Sequence, residues 1–164
     1  MTDLQKDIFD ANIDEDTQKG KYLTFFIESG IYAIEIKFVT EIIGIQPITI
    51  VPEVPSYVKG IINLRGKIIP VMDVRLRFKK EPLEYNDRTC IIVVDVNDVS
   101  LGLIVDSVSE VLEIPDEEIV LPPDMNKSTE SRYVKAIGKV ENGVNLILSC
   151  EKLLGEEVFE ESVQ

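Results

Sequence analysis

The sequence predicts an all-β protein built from two small closed barrels, and three observations lead to that prediction. Short β-branched and aromatic runs dominate the chain, turn residues separate them, and two blocks of sequence recur in the same order. The 164 residues suit one domain, or two small ones that share a core. Each recurring half holds about five short strands, which are enough for a barrel without exposed edges.

The first half of the chain begins with a polar, acidic segment. Residues 1–20 are expected to form a flexible tail, because they contain too few apolar residues to pack. Residues 22–27 and 31–36 surround a turn that contains Gly30, which predicts a hairpin. Residues 60–72 predict a second pair of strands around a turn at Arg65, Gly66 and Lys67. We therefore assign residues 21–86 to the first barrel.

The second half follows a polar link in the 80s. Residues 91–96 and 101–105 predict strands on either side of the turn Asn97-Asp98. The pair Asn142-Gly143, flanked by apolar runs, is typical of a hairpin turn. Residues 151–159 predict a terminal helix from the spacing of their apolar side chains. We assign residues 87–164 to the second barrel and this C-terminal helix.

An internal repeat connects the two halves. A shift of 69 positions places residues 32–43 on residues 101–112, and a shift of 76 places residues 57–61 on residues 133–137. Under the second shift Ile68 also falls on Val144. Chance similarity between β-rich segments is the alternative, but two matched blocks in the same order favour duplication.

Composition excludes several classes of function. The 17 Lys and Arg against 30 Asp and Glu give a formal net charge of −13, which disfavours binding to nucleic acid or to an anionic membrane. The absence of His excludes Ser-His and Cys-His catalysis and His-dependent zinc sites. We expect no catalytic residues, no metal and no cofactor. Cys90 and Cys150 lie in apolar runs and are interpreted as buried thiols, although a disulfide between them is possible.

Three features point to binding. Arg65 lies in the polar turn Asn63-Leu64-Arg65-Gly66 between apolar strands, which would present its guanidinium on a rigid support or leave it merely solvated. Glu41 could pair with Arg65 if the two are neighbours in space. The aliphatic residues are so abundant that two small barrels need not bury them all, and an uncovered patch would bind protein.

The motifs resemble those of one known family. The segment Gly60–Arg75, which contains the Asn63–Gly66 turn, and the segment Gly102–Leu112 are similar to the signature of the CheW family of bacterial chemotaxis coupling proteins. The similarity runs from about residue 22 to residue 154. It implies a fold of two five-stranded, SH3-like β-barrels, in agreement with the repeat.

The resemblance also implies a function. Family members are non-catalytic adaptors that couple the cytoplasmic tips of chemoreceptors to the histidine kinase CheA, through that kinase's regulatory domain. We expect a cytoplasmic protein that its partners recruit to membrane receptor arrays. Receptors would dock between the barrels, with Gly60 and Gly102 allowing close approach. The positions that match receptor-binding residues of the family are Val39, Ile42, Gly60, Asn63, Arg65, Gly102, Val108 and Val111.

Two further interpretations remain beside the adaptor. The chain also resembles the CheW-like part of a CheV-type coupler, without the receiver domain that follows there. An acidic-residue, metal-assisted hydrolase is the enzymatic alternative, opposed by the lack of His and of any ligand cluster. A nucleic-acid-binding barrel is opposed by the net charge of −13.

Overall fold

The computed structural model describes residues 18–123 and 130–155, and it consists of two β-sheets with a few short helical segments. The predicted all-β class is therefore confirmed. The predicted tail, through residue 17, and the predicted helix beyond residue 155 lie outside the described residues. The part of that helix that is described begins one residue earlier than predicted, at Cys150.

One sheet has six strands and the other has five. In spatial order the six-stranded sheet contains β8 (Ser107–Glu113), β1 (Lys21–Ile27), β2 (Gly30–Glu35), β11 (Gly143–Leu148), β10 (Val134–Val140) and the two-residue β9 (Ile119–Val120). The five-stranded sheet contains β3 (Val39–Gly44), β6 (Cys90–Val96), β7 (Val99–Val105), β5 (Lys67–Asp73) and β4 (Val58–Leu64). The helices are α1 (Val74–Arg77) and α2 (Cys150–Leu154), with 3-10 helices η1 (Ile36–Phe38), η2 (Asp116–Glu118) and η3 (Glu130–Tyr133).

The secondary structure repeats with the shifts found in the sequence. Strands β1 and β6 begin 69 positions apart, at residues 21 and 90, and β4 and β10 begin 76 apart, at residues 58 and 134. The helices α1 and α2 both begin after a side-chain cap, in which Asp73 accepts from the Leu76 N–H and Ser149 from the Lys152 N–H. The duplication thus extends to the way the helices begin.

The sheets exchange strands between the two sequence halves. The chain forms β1 and β2 in the six-stranded sheet, crosses to form β3 to β7 in the five-stranded sheet, and crosses back for β8 to β11. In each sheet, strands from the two sequence halves pair in parallel. Val71 of β5 is opposite Gly102 of β7 in one sheet, and Ile147 of β11 is opposite Ala33 of β2 in the other. The division at residue 86 therefore describes the order of the repeats, whereas each sheet takes strands from both sides of it.

The third strand of each repeat, β3 and β8, does not follow simple alternation. The register of β3 against β6 shifts between Val39 and Glu41, and that of β1 against β8 shifts between Leu23 and Phe25. A bulge adds one residue and reverses the side that later side chains face. The buried apolar residues of β3 are consequently spaced by three, at Val39 and Ile42, which obscures the strand in the sequence.

The described residues form three hydrophobic clusters, one of which holds the two sheets together. The largest contains residues of both sheets, such as Phe25 and Leu103, and lies between them. Smaller clusters lie within each sheet, around Ile91 and Val71 in the five-stranded sheet and around Ala33 and Ile147 in the six-stranded one. Strands with a cluster on both sides are buried on both faces, which is why β6 and β7 are nearly continuous apolar runs.

Each sheet curves so that its two edges share one core. In the five-stranded sheet, Ile43 of edge strand β3 and Ile62 of edge strand β4 contact the same cluster. In the six-stranded sheet, Ile114, which follows edge strand β8, packs with Ile119 of the other edge strand, β9. This arrangement covers the inner face of each sheet as a small barrel does.

Candidate partner-binding surfaces

The turn between β4 and β5 presents Arg65 to solvent. Arg65 and Gly66 both have positive φ, 52° and 88°, as in the two-residue turns that match the twist of a hairpin. The side-chain oxygen of Asn63 accepts a hydrogen bond of 2.8 Å from the Gly66 N–H and so stabilises the turn. The Arg65 side chain is 69% exposed.

Arg65 forms an ion pair with Glu41, the partner considered from the sequence. Glu41 lies on β3 and Arg65 follows β4, and these strands are the two edges of the five-stranded sheet. The pair therefore connects the two edge strands of this sheet, which do not pair with each other through backbone hydrogen bonds. Because Arg65 is largely solvated, the ion pair itself contributes at most about 1 kcal/mol to stability.

Four of the predicted receptor-contacting residues are apolar side chains of β3 and β8, and they differ in accessibility. Val39 and Ile42 on β3 are buried in the cluster between the sheets. Their repeat partners on β8, Val108 and Val111, are half-buried and pack against the same cluster. Only the β8 pair can contact a partner directly, while the β3 pair can shape the surface from beneath.

The expectation that Gly60 and Gly102 let a partner approach the backbone is wrong, because both residues are buried. A Cβ at Gly102 would lie 2.8 Å from side-chain atoms of Ile91 and of Val71. A Cβ at Gly60 would overlap the carbonyl oxygen of Thr49. These glycines serve close packing inside the five-stranded sheet.

Exposed apolar side chains occur at related positions in both sheets. Ile68 on β5 is 57% exposed and Val144 on β11 is 52% exposed. Ile50 and Leu121, which follow the segments that pair with β4 and β10, are 83% and 84% exposed. The repeat aligns Ile68 with Val144. An assignment of the buried and exposed faces of the two strands from their alternation could therefore have identified this exposed pair from the sequence.

The structure defines the surroundings of the carboxylates Asp95 and Asp106 and of the two cysteines. Asp95 is exposed on β6, whereas Asp106 forms an ion pair with Arg75, so the two are not a carboxylate dyad. Cys90 and Cys150 are buried, free thiols. Burial raises the pKa of the Cys150 thiol to about 12 and also raises that of Cys90, which keeps both protonated and unreactive at neutral pH.

Within residues 18–123 and 130–155, no three His, Cys, Asp or Glu side chains are grouped so as to hold a metal ion. No helix among these residues combines the length and the hydrophobicity needed to cross a membrane.

The known proteins that this chain resembles are chemotaxis proteins. The family model described as the CheW-like domain matches residues 21–158. Chemotaxis protein CheW of Klebsiella aerogenes is 31% identical over 142 residues, covering 87% of this chain and 86% of the relative. CheW of Bacillus subtilis is 32% identical over 143 residues, covering 87% and 92%.

A solved structure shows the same architecture. The crystal structure of scaffolding protein TtCheW from Thermoanaerobacter tengcongensis aligns with a TM-score of 0.77 and 34% identity, covering 82% of this chain and 92% of that one. Family match, identity and fold agree over most of the described residues, and the chain therefore belongs to the CheW family of chemotaxis scaffold proteins.

Proposed function

We propose that the chain is a non-catalytic chemotaxis adaptor that couples the cytoplasmic tips of chemoreceptors to the regulatory domain of the histidine kinase CheA. It acts in the cytoplasm and reaches membrane receptor arrays through these partners. Membership of the CheW family supports the adaptor role. The observation that carries the proposal is the presence of uncovered apolar side chains on each of the two sheets.

The surface around β8 is the proposed receptor site. Val108 and Val111 offer half-buried apolar contact on an edge strand, and the Arg65–Glu41 pair and Asn63 lie on the polar rim of the other sheet. An apolar strip on one sheet and an arginine on the other suit an amphipathic helix with an acidic flank. Val39 and Ile42 support this surface from the cluster between the sheets, whereas Gly60 and Gly102 act through packing inside the five-stranded sheet.

The exposed side chains Ile68, Val144, Ile50 and Leu121 are the proposed kinase contacts. Ile68 and Val144 lie on β5 and β11, and Ile50 and Leu121 lie in loops. All four are outside β3 and β8, so a kinase domain and a receptor could bind at the same time. Because related patches occur on both sheets, one adaptor offers two similar faces, which suits a protein that links several partners into an array.

The test is co-purification of the chain with a receptor-tip fragment and with the CheA regulatory domain. Arg65→Glu should reduce receptor-dependent kinase control, because it reverses the charge at the rim and breaks the pair with Glu41. Arg88→Glu is the matched control, with the same charge change at an exposed residue of the link between β5 and β6. Unchanged kinase control by Arg65→Glu would exclude a functional role for this residue.

The proposed kinase contacts are tested by the same co-purification with the CheA regulatory domain. Ile68→Glu and Val144→Glu should each weaken binding of the regulatory domain by roughly tenfold, as expected when an interface anchor is lost. Leu83→Glu, at an exposed apolar residue of the link, is the control. Wild-type protein that binds neither the kinase domain nor the receptor fragment would contradict the proposed function as a whole.

A further inference from the structure

A second ion pair, between Arg75 and Asp106, lies where the chain crosses between the sheets for the second time. Asp106 is the residue between β7, the central strand of the five-stranded sheet, and β8, the edge strand of the six-stranded sheet. Arg75 lies in α1, directly after β5. Its Nε donates to Asp106 Oδ1 at 2.7 Å and its Nη2 to Oδ2 at 2.8 Å. This two-pronged geometry fixes orientation as well as distance.

Further hydrogen bonds connect this ion pair to three other segments. Asp106 Oδ2 also accepts from the Glu28 N–H at 2.7 Å, and the Asp106 N–H donates to the Phe26 carbonyl at 3.2 Å. Arg75 Nη1 donates to the Glu81 carbonyl at 3.0 Å. The end of β1, the turn before β2 and the link after α1 are thus held together. The two side chains are only 12% and 16% exposed, so solvent and salt screen the pair weakly.

Among the residues that the structure describes, no comparable ion pair connects the sheets at the first crossing, from β2 to β3. The repeat places Lys37 at the position of Asp106, and Lys37 is exposed within η1. Its ion pair, of 3.5 Å, is with Glu35, two residues away in the chain. Glu35 also pairs with Lys135 of β10, which belongs to the same sheet as β2. The first contact lies within one segment and the second joins two strands of the same sheet, so neither of them connects the two sheets.

We propose that Arg75 and Asp106 are positioning residues that transmit a displacement of β8 to β5. The inference rests on the proposed function. Strand β8 carries Val108 and Val111, at the proposed receptor surface, and begins directly after Asp106. Strand β5 carries Ile68, at the proposed kinase surface, and ends one residue before α1 begins. The ion pair is thus a stiff connection between the start of β8 and the end of β5, and β5 itself spans the remaining distance to Ile68 at its other end.

The first measurement uses the isolated protein. Spin labels on introduced keto amino acids at Asp95 of β6 and Ser109 of β8, both exposed, report the distance between the sheets and leave the buried thiols untouched. Asp106→Asn keeps the size of the side chain but removes its charge, and should broaden and shift the distance distribution. Lys80→Gln is the matched control, because it removes the neighbouring 3.1 Å ion pair with Glu28 and should leave the distribution unchanged.

The second measurement uses the assembled complex of receptor tip, kinase and adaptor. Asp106→Asn should retain binding of the kinase regulatory domain while receptor control of the kinase falls by roughly two- to thirtyfold, the range of coupling changes caused by mutations along such connections. A purely structural role predicts the opposite pattern, in which kinase binding and receptor control fall together as the melting temperature falls. That pattern would overturn the proposal.

An unchanged distance distribution in Asp106→Asn would also overturn it. If Asp106→Asn does not fold, Arg75→Lys decides on the same two measurements, because lysine keeps the charge but cannot make the two-pronged contact. Intermediate broadening with reduced receptor control is then expected. If the wild-type protein binds neither partner, the proposed function fails, whereas the label distances still decide whether the ion pair sets the angle between the sheets.

Discussion

The five-stranded and six-stranded sheets have the same succession of strands but distribute their inner side chains differently. Where the five-stranded sheet has Gly60 and Gly102, the repeat places Ala136 and Ala33 in the six-stranded sheet. Conversely, the residue that corresponds to Ile62 in the six-stranded sheet is Gly138. The Ile114 side chain packs against Gly138, and a Cβ at Gly138 would lie 2.8 Å from Ile114 Cδ1. Duplication therefore preserved the backbone pairing, while the interior volume was refilled independently in each copy.

The sharpest contrast is between Gly60 and Ala136. Gly60 has a φ of 148°, in the region that favours glycine, and lies against the Thr49 carbonyl, which accepts a 2.9 Å hydrogen bond from the Ile61 N–H. Gly60→Ala should reduce the free energy of unfolding by about 4 kcal/mol, through strain and overlap with the backbone. Ala136→Gly should cost only about 0.5–1 kcal/mol. Urea denaturation measures both, and equal losses would contradict the contrast.

The next contrast is between repeat partners Ile42 and Val111. Ile42 is fully buried between the sheets, so Ile42→Ala should cost about 3 kcal/mol of stability by leaving a cavity. Val111 is half-buried, and Val111→Ala should cost about 1 kcal/mol. Chemical denaturation of the two variants compares these losses. A larger loss in Val111→Ala than in Ile42→Ala would mean that β8, rather than β3, is the better packed strand.

The smallest contrast is between Gly102 and Ala33. A Cβ at Gly102 meets stiff β-branched side chains, so Gly102→Ala should cost about 2 kcal/mol, against about 0.5–1 kcal/mol for Ala33→Gly. The double variant Gly102→Ala/Val71→Ala should lose less stability than the sum of the losses in the two single variants, because Val71→Ala removes one of the atoms that the new Cβ meets. Thermal unfolding of the three variants checks this, and additive losses would exclude overpacking.

Much of the candidate site could be anticipated from the sequence. The turn that presents Arg65 was predicted because an Asn-x-Arg-Gly segment between apolar runs carries its own turn chemistry. Glu41 could be named only as a possible neighbour, because the pair joins residues 24 positions apart on opposite edges of a sheet. The burial of Gly60 and Gly102 was not predicted. In a sequence, a glycine required by packing inside the protein looks the same as a glycine that leaves room for a binding partner.

The sequence by itself determined most of the strands, their hairpins and the duplication, because alternation and turn residues act between neighbours in the chain, whereas the bulge concealed β3. Only the tertiary structure decided which sheet each strand joins. The repeat partners β3 and β8 offer similar edges to β6 and β1, so local pattern does not distinguish pairing within a repeat from exchange between repeats. That choice depends on how the shared core is filled, and it sets which valines are accessible and where Arg75 meets Asp106.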